Sequence, residues 1–157
     1  MSIVIAIVAI ILILDQVTKH LVVSQMDLGQ SIEIIPRMFY ITSHRNVGAA
    51  WSILEGQMLF FYVVTVIIVA ALIVWIIRLD KKKDRLLLVA LSLLLGGALG
   101  NFIDRVFLQE VVDFIDTFIF GYNFPIFNVA DMALTLGVIL MGLDALLGSK
   151  SHRNEEI

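Results

Sequence analysis

Apolar residues fall into four long blocks, near 3–23, 58–77, 86–104 and 127–147, separated by segments in which polar and aromatic residues mix. Each block is close to the roughly 20 residues that an α-helix needs to cross the hydrocarbon core. The pattern predicts a single all-α membrane domain with four transmembrane helices. Two short polar stretches, a loop at 78–85 and a tail at 148–157, lie on one side, and the tail after Gly148 is expected to be unstructured. Two longer segments, 24–57 and 105–126, lie on the other. In the first, Ser31–Ile35 and Phe39–Thr42 have β-rich composition around Pro36 and predict a small extramembrane sheet. In the second, Phe107, Phe114, Phe118, Phe120, Tyr122 and Phe124 alternate with acids, which predicts a short amphipathic segment lying on the membrane surface. The sheet is expected to act as a cradle and the aromatic segment as a lid.

Basic residues orient the helices. Arg78, Lys81, Lys82, Lys83 and Arg85 crowd the loop between the second and third blocks, which the positive-inside rule assigns to the cytoplasm. Both termini then lie inside, in keeping with Lys150 and Arg153, and segments 24–57 and 105–126 face outward. The first block has no basic leader and no small-residue cleavage site, so it is expected to remain in the mature protein.

Composition sharpens the class. Hydrophobic residues make up 60% of the chain and charged ones 16%, with a mean hydropathy of +0.98; the bilayer is the expected solvent. There is no basic patch for nucleic acid. Cysteine is absent, which removes disulfides, thiol nucleophiles and thiolate metal sites. His20, His44 and His152 have no ligand spacing, so no metal and no cofactor is expected.

An ionisable residue inside a spanning helix costs roughly 2.5–3.5 kcal/mol on insertion scales, so each one calls for a reason. With the orientation above, Asp15 and Lys19 lie in the outer half of the first span. Asn101, Asp104 and Arg105 end the third, and Asn128 and Asp131 begin the fourth, so three helices bring polar groups to one depth. Asp15/Lys19 and Asn101/Arg105 are four residues apart and Asn128/Asp131 three, so each set shares a helix face. The glycines of Gly96-Gly97-Ala98-Leu99-Gly100 read as a surface for close helix packing. Asp15 and Lys19 read either as a self-neutralising ion pair or as substrate contacts.

Asp113 and Asp116 sit in the apolar run Val111-Val112-Asp113-Phe114-Ile115-Asp116, and Asp131 opens a span with no basic residue close in sequence. Two carboxylates in one apolar site cannot both ionise cheaply, so one keeps a proton. That state suits hydrolysis by an aspartic pair, and on spacing alone it suits a proton or ion pathway equally well. Asp104 and Asp116 stay open as partners of Asp131.

The motifs together resemble a known family. They are Asp15-Gln16-Val17-Thr18-Lys19, Arg45-Asn46-Val47-Gly48-Ala49-Ala50-Trp51, Gly96 through Arg105, Val111 through Asp116, and Phe124-Pro125-Ile126-Phe127-Asn128-Val129-Ala130-Asp131. Five ordered blocks over nearly the whole chain resemble the bacterial lipoprotein signal peptidases, aspartic membrane proteases. The resemblance implies an endopeptidase of the bacterial cytoplasmic membrane that removes signal peptides from diacylglyceryl-modified prolipoproteins, cutting before the lipidated cysteine near the outer face. Its partners would be the lipid-modified precursor and membrane lipid, without an obligate protein partner. By matching position Asp113 and Asp131 would be the catalytic pair. Asn46, Gly48, Asn101, Arg105 and Asn128 would surround the substrate and pair, Asp15 and Lys19 would support the pocket, and Asp104 would hold Arg105 or the helix end. Where the family usually has a small hydroxyl residue after the second aspartate, this chain has Met132, which puts a nearby hydrogen bond in question.

Three other classes compete. A transporter or channel subunit would relay protons through Asp15, Lys19, Asp104 and Asp131, yet the inner halves of spans two and three are almost purely apolar, leaving only Asp144 near the inner end of span four. A non-catalytic assembly subunit would tolerate loss of Asp113 and Asp131. A serine peptidase would use Lys19 as base for Ser43 or Ser52.

Overall fold

The computed structural model describes residues 1–48, 56–80, 83–119 and 121–155. Ala49, Ala50 and Trp51 of the second motif, the candidate nucleophile Ser52, Lys81 and Lys82 of the basic loop, and Phe120 lie outside them. The described chain runs α1 (Ser2–Gln25), β1 (Ser31–Ile35), β2 (Phe39–Asn46), α2 (Met58–Arg78), α3 (Arg85–Leu108), β3 (Val111–Ile119), β4 (Tyr122–Asn123) and α4 (Val129–Glu155). All four helices are long and apolar enough to cross a membrane. Their outward faces carry residues such as Ile10, Leu14, Ile67 and Val138, apolar yet exposed, as lipid contact requires. This is a multi-pass membrane protein. Helix α4 continues through the polar tail to Glu155, where an unstructured end was expected; extending an existing helix costs far less than starting one.

Helix α3 is central: half of its apolar window is buried, against 17% or less in the other spans. Small residues make this possible. A Cβ on Gly96 would stand 3.0 Å from Ile11 Cβ and one on Gly100 2.7 Å from Asp15 Oδ2, so the Gly-x-x-x-Gly face receives α1. A Cβ on Gly97 would come within 2.5 Å of the Ala130 carbonyl oxygen, and one on Gly137 within 2.9 Å of that of Ala90; these two glycines seat α4 against α3. Below this level Val4, Leu72, Ile76, Leu88, Leu91 and Leu95 form an apolar core.

The strands make one antiparallel sheet in the order β1-β2-β3-β4. Segment 105–126 therefore does not form a separate surface lid. Its first turn completes α3, Gln109 ends that helix in the left-handed region, and Val111–Ile119 becomes an interior strand hydrogen-bonded to β2. The physical reason is burial: β-branched and aromatic residues at Val111, Val112 and Phe114 are enclosed, with Val112 and Phe114 packed on Val22 of α1. What reads in sequence as an interfacial aromatic segment is the inner wall of the cradle. The chain entering α4 is laid against the same strand, where Phe114 and Ile115 N–H donate to the Phe127 carbonyl at 3.1 and 2.8 Å and Phe127 N–H returns to Ile115 at 3.1 Å. Strand β3 and the start of α4 are thus fixed side by side.

Candidate active site

Asn128 caps α4. Its Oδ1 accepts the Asp131 N–H at 3.0 Å while Asp131 Oδ2 accepts the Asn128 N–H at 3.2 Å, a reciprocal capping box. Because Asn128 Oδ1 is so used, its Nδ2 faces β3 and donates to Asp113 Oδ1 at 2.7 Å and to the Val112 carbonyl at 3.3 Å. One buried asparagine therefore joins both carboxylates. Each carboxylate has a second amide. Asn101 Nδ2 donates to Asp131 Oδ1 at 2.7 Å, and Asn46 Nδ2 to Asp113 Oδ2 at 3.0 Å, its own Oδ1 being occupied by the Gly48 N–H at 2.9 Å.

Beneath the pair lies a charge cluster that fixes these amides. The Lys19 ammonium has three acceptors: Asp15 Oδ2 at 2.8 Å, Asp104 Oδ2 at 2.9 Å and Asn101 Oδ1 at 3.0 Å. Lys19 and Asn128, both donating to Asn101 Oδ1, turn the Asn101 Nδ2 toward Asp131. Asp15 Oδ1 accepts the Ala130 N–H at 2.9 Å, placing a carboxylate at the positive end of α4. Asp104 also accepts the Val112 N–H at 3.1 Å, so its contact ties the end of α3 to β3. Asp15, Lys19 and Asp104 are all buried, and the cluster is a structural tie between four elements, α1, α3, β3 and α4.

Arg105 reaches the loop that follows β2. Its Nη2 donates to the Gly48 carbonyl at 3.3 Å, and its guanidinium carbon lies 4.6 Å from the centroid of the Phe61 ring. The Tyr62 hydroxyl donates to the Arg105 carbonyl at 2.8 Å.

Above the carboxylates opens a cavity of about 330 Å³ lined by Asn46, Gly48, Asn101, Arg105, Asp113 and Asp131, among others. Asp104 and Asp116 do not line it. Asp116 faces Thr42, whose hydroxyl donates to its Oδ2 at 2.8 Å and lies 2.8 Å from Ser31, stitching three strands. Burial, and next the Asp131 charge, push the Asp113 carboxyl up to about 7, against the opposing hydrogen bonds from Asn46 and Asn128 and the charge of Lys19. Met132 leaves neither Asp131 oxygen without a donor, since Asn101 and the Asn128 N–H occupy them.

Pattern reading of the sequence missed three contributors. Gln16 bridges Asp15 and Asp104 at 3.1 and 2.9 Å and donates to the Gly100 carbonyl at 3.3 Å; a glutamine in an apolar span is the signal that could have revealed it. Phe61 and Tyr62, which hold Arg105, are indistinguishable in sequence from other aromatics at a membrane interface.

The competing classes fare poorly against this geometry. The polar groups end above an apolar core, which offers ions no continuation. Lys19 has all three protons engaged and is no free base, and Ser43 is buried, 3.4 Å from Arg45 Nη1. Fold and cavity describe a polytopic membrane protein whose paired carboxylates line one cavity at one end of the helix bundle.

The chain belongs to the signal peptidase II family, whose model, described as "Signal peptidase (SPase) II", matches residues 7–147. It is a peptidase. The chain is 55% identical over 147 residues to the lipoprotein signal peptidase of Bacillus subtilis (strain 168), covering 94% of this chain and 95% of that one. It is 54% identical over 146 residues to the lipoprotein signal peptidase of Staphylococcus aureus (strain MRSA252), covering 93% and 88%. Among solved structures, a bacterial membrane enzyme determined in meso at 2.3 Å superposes with a TM-score of 0.89 at 53% identity, covering 97% of this chain and 92% of that one. A second, at 1.9 Å, gives a TM-score of 0.85 at 53% identity and covers 93% and 94%.

Proposed function

We propose that this peptidase removes signal peptides from diacylglyceryl-modified prolipoproteins, cutting before the lipidated cysteine, by an aspartic mechanism carried by Asp113 and Asp131. The observation that carries the reading is Asn128, whose side-chain amide donates to Asp113 and whose backbone N–H donates to Asp131, so that one residue ties both carboxylates to one cavity. The charge belongs on Asp131, at the positive end of α4 with an N–H and an amide donating to it. The proton belongs on Asp113, whose carboxyl burial pushes up to about 7.

Water attacks the amide carbon as Asp131 takes its proton, and Asp113 gives its proton to the carbonyl oxygen, forming a gem-diol. In the second half Asp131 returns its proton to the leaving nitrogen while Asp113 recovers one from a diol hydroxyl. The C–N bond breaks and the pair is restored. Arg105 and the Gly48 region hold the substrate backbone across the cavity. The basic residues of the 78–85 loop support an orientation with both termini in the cytoplasm and this cavity toward the outer face of the bacterial cytoplasmic membrane, at the depth of the acyl chains of a lipidated cysteine.

Purified protein in detergent, given a diacylglyceryl-modified precursor with chelator present, is expected to release a product beginning at the modified cysteine, identified by mass spectrometry. Equal cleavage of the unmodified precursor, or cleavage at another bond, would refute the assignment.

A further inference from the structure

A second hollow of about 480 Å³ opens beside the cavity and shares Pro125, Phe127, Asp131 and Thr135 with it. From Asp131 it descends one turn of α4, along Met132 and Leu136 and under Phe124. Its volume is in the range of small-ligand pockets. Met132 is 44% exposed and Leu136 49%, on a face of α4 that is open to lipid along the groove. Thr135, the one hydroxyl among the described residues of its wall, already donates to the Asp131 carbonyl at 2.9 Å.

We propose that this groove holds one acyl chain of the lipidated substrate, with Met132 and Leu136 setting how much of the chain is gripped. The inference rests on the prolipoprotein reading above. Two features select an alkyl chain over a peptide segment. A peptide laid here would leave its N–H and C=O groups without partners at membrane depth, a cost of several kcal/mol per group, whereas an alkyl chain needs none. The groove is also continuous with the lipid-facing side of α4, so a chain slides in sideways from the leaflet while its glyceryl end stays beside Asp131. Methionine at position 132, a long flexible side chain on the groove's wall, supplies an adaptable apolar surface.

The test compares precursors that differ only in acyl length, short against long, with the wild-type protein, Leu136→Trp and Met132→Ser in detergent. Wild-type kcat/KM is expected to be at least tenfold higher for the long-chain precursor. Leu136→Trp, which fills the groove, is expected to erase most of that preference while leaving short-chain cleavage within about threefold of wild type. Met132→Ser is expected to reduce the preference part-way. A wild-type preference that persists unchanged in Leu136→Trp, or no wild-type preference at all, overturns the groove assignment. Failure of the wild-type protein to cleave either precursor instead overturns the function it rests on. Circular dichroism and thermal unfolding of both variants confirm that the comparison is between folded proteins.

Discussion

At the scale of single residues the site is a set of amides whose orientation is forced. Asn46, Asn101 and Asn128 each present oxygen to a donor and nitrogen to a carboxylate, so exchanging amide for carboxylate at any of them would set like charges together. The same burial that brings Asp113 beside Asp131 gives the site a pH signature. Folded, Asp113 keeps its proton up to about 7, against an ordinary value of 3.8. Between those limits the folded chain binds a proton that the unfolded chain has released. The stabilisation from Asp113 is complete below the lower limit and disappears as pH rises through the upper one. The unfolding temperature in detergent is therefore expected to fall between about pH 4 and 7 in the wild-type protein and to fall less in Asp113→Asn; parallel curves would contradict the assignment. Activity is expected to decline above about pH 7, as the pair loses the proton it delivers to the carbonyl.

At the scale of elements, the decisive contact is the seating of α4 on α3. Gly97 lets the Ala130 carbonyl approach to a distance that no Cβ allows, and Ala130 is the residue before Asp131. Gly97→Ala is expected to push the first turn of α4 away from β3, lowering stability by about 1–3 kcal/mol and activity by more than tenfold. Gly142, where a Cβ meets nothing within 4 Å, is the control; Gly142→Ala is expected to leave both unchanged. The helices were legible in the sequence because their apolar length has no other use, and their polar ends were legible because charge inside a span is expensive. The strand at Val111–Ile119 was not. Its aromatic and acidic alternation fits either a membrane surface or a sheet, and only pairing with β2 and burial against Val22 decide between them. Likewise Asp104 next to Arg105 suggested a local pair, while the chain brings Lys19 to it from 85 positions away in another helix.

At the scale of the whole molecule, an apolar bundle gathers its buried charges at one end, against a sheet. The lower core of Val4, Leu72, Ile76 and the leucines of α3 packs the frame, and the Asp15–Lys19–Asp104 cluster ties that frame, through Asn101, to the cavity. No two sequence-neighbouring residues build the proposed catalytic pair: a strand supplies one carboxylate and a spanning helix the other. Sequence spacing alone left Asp104, Asp113 and Asp116 as equal partners for Asp131, and the topology that separates them is a long-range property. The most direct measurement is cleavage of a lipid-modified precursor by Asp113→Asn and Asp131→Asn, each shown by unfolding in detergent to be folded. Both are expected to lose at least ~1,000-fold in kcat, the scale on which acid–base and electrostatic contributions combine. Near-normal turnover by either folded variant would contradict the paired-carboxylate account.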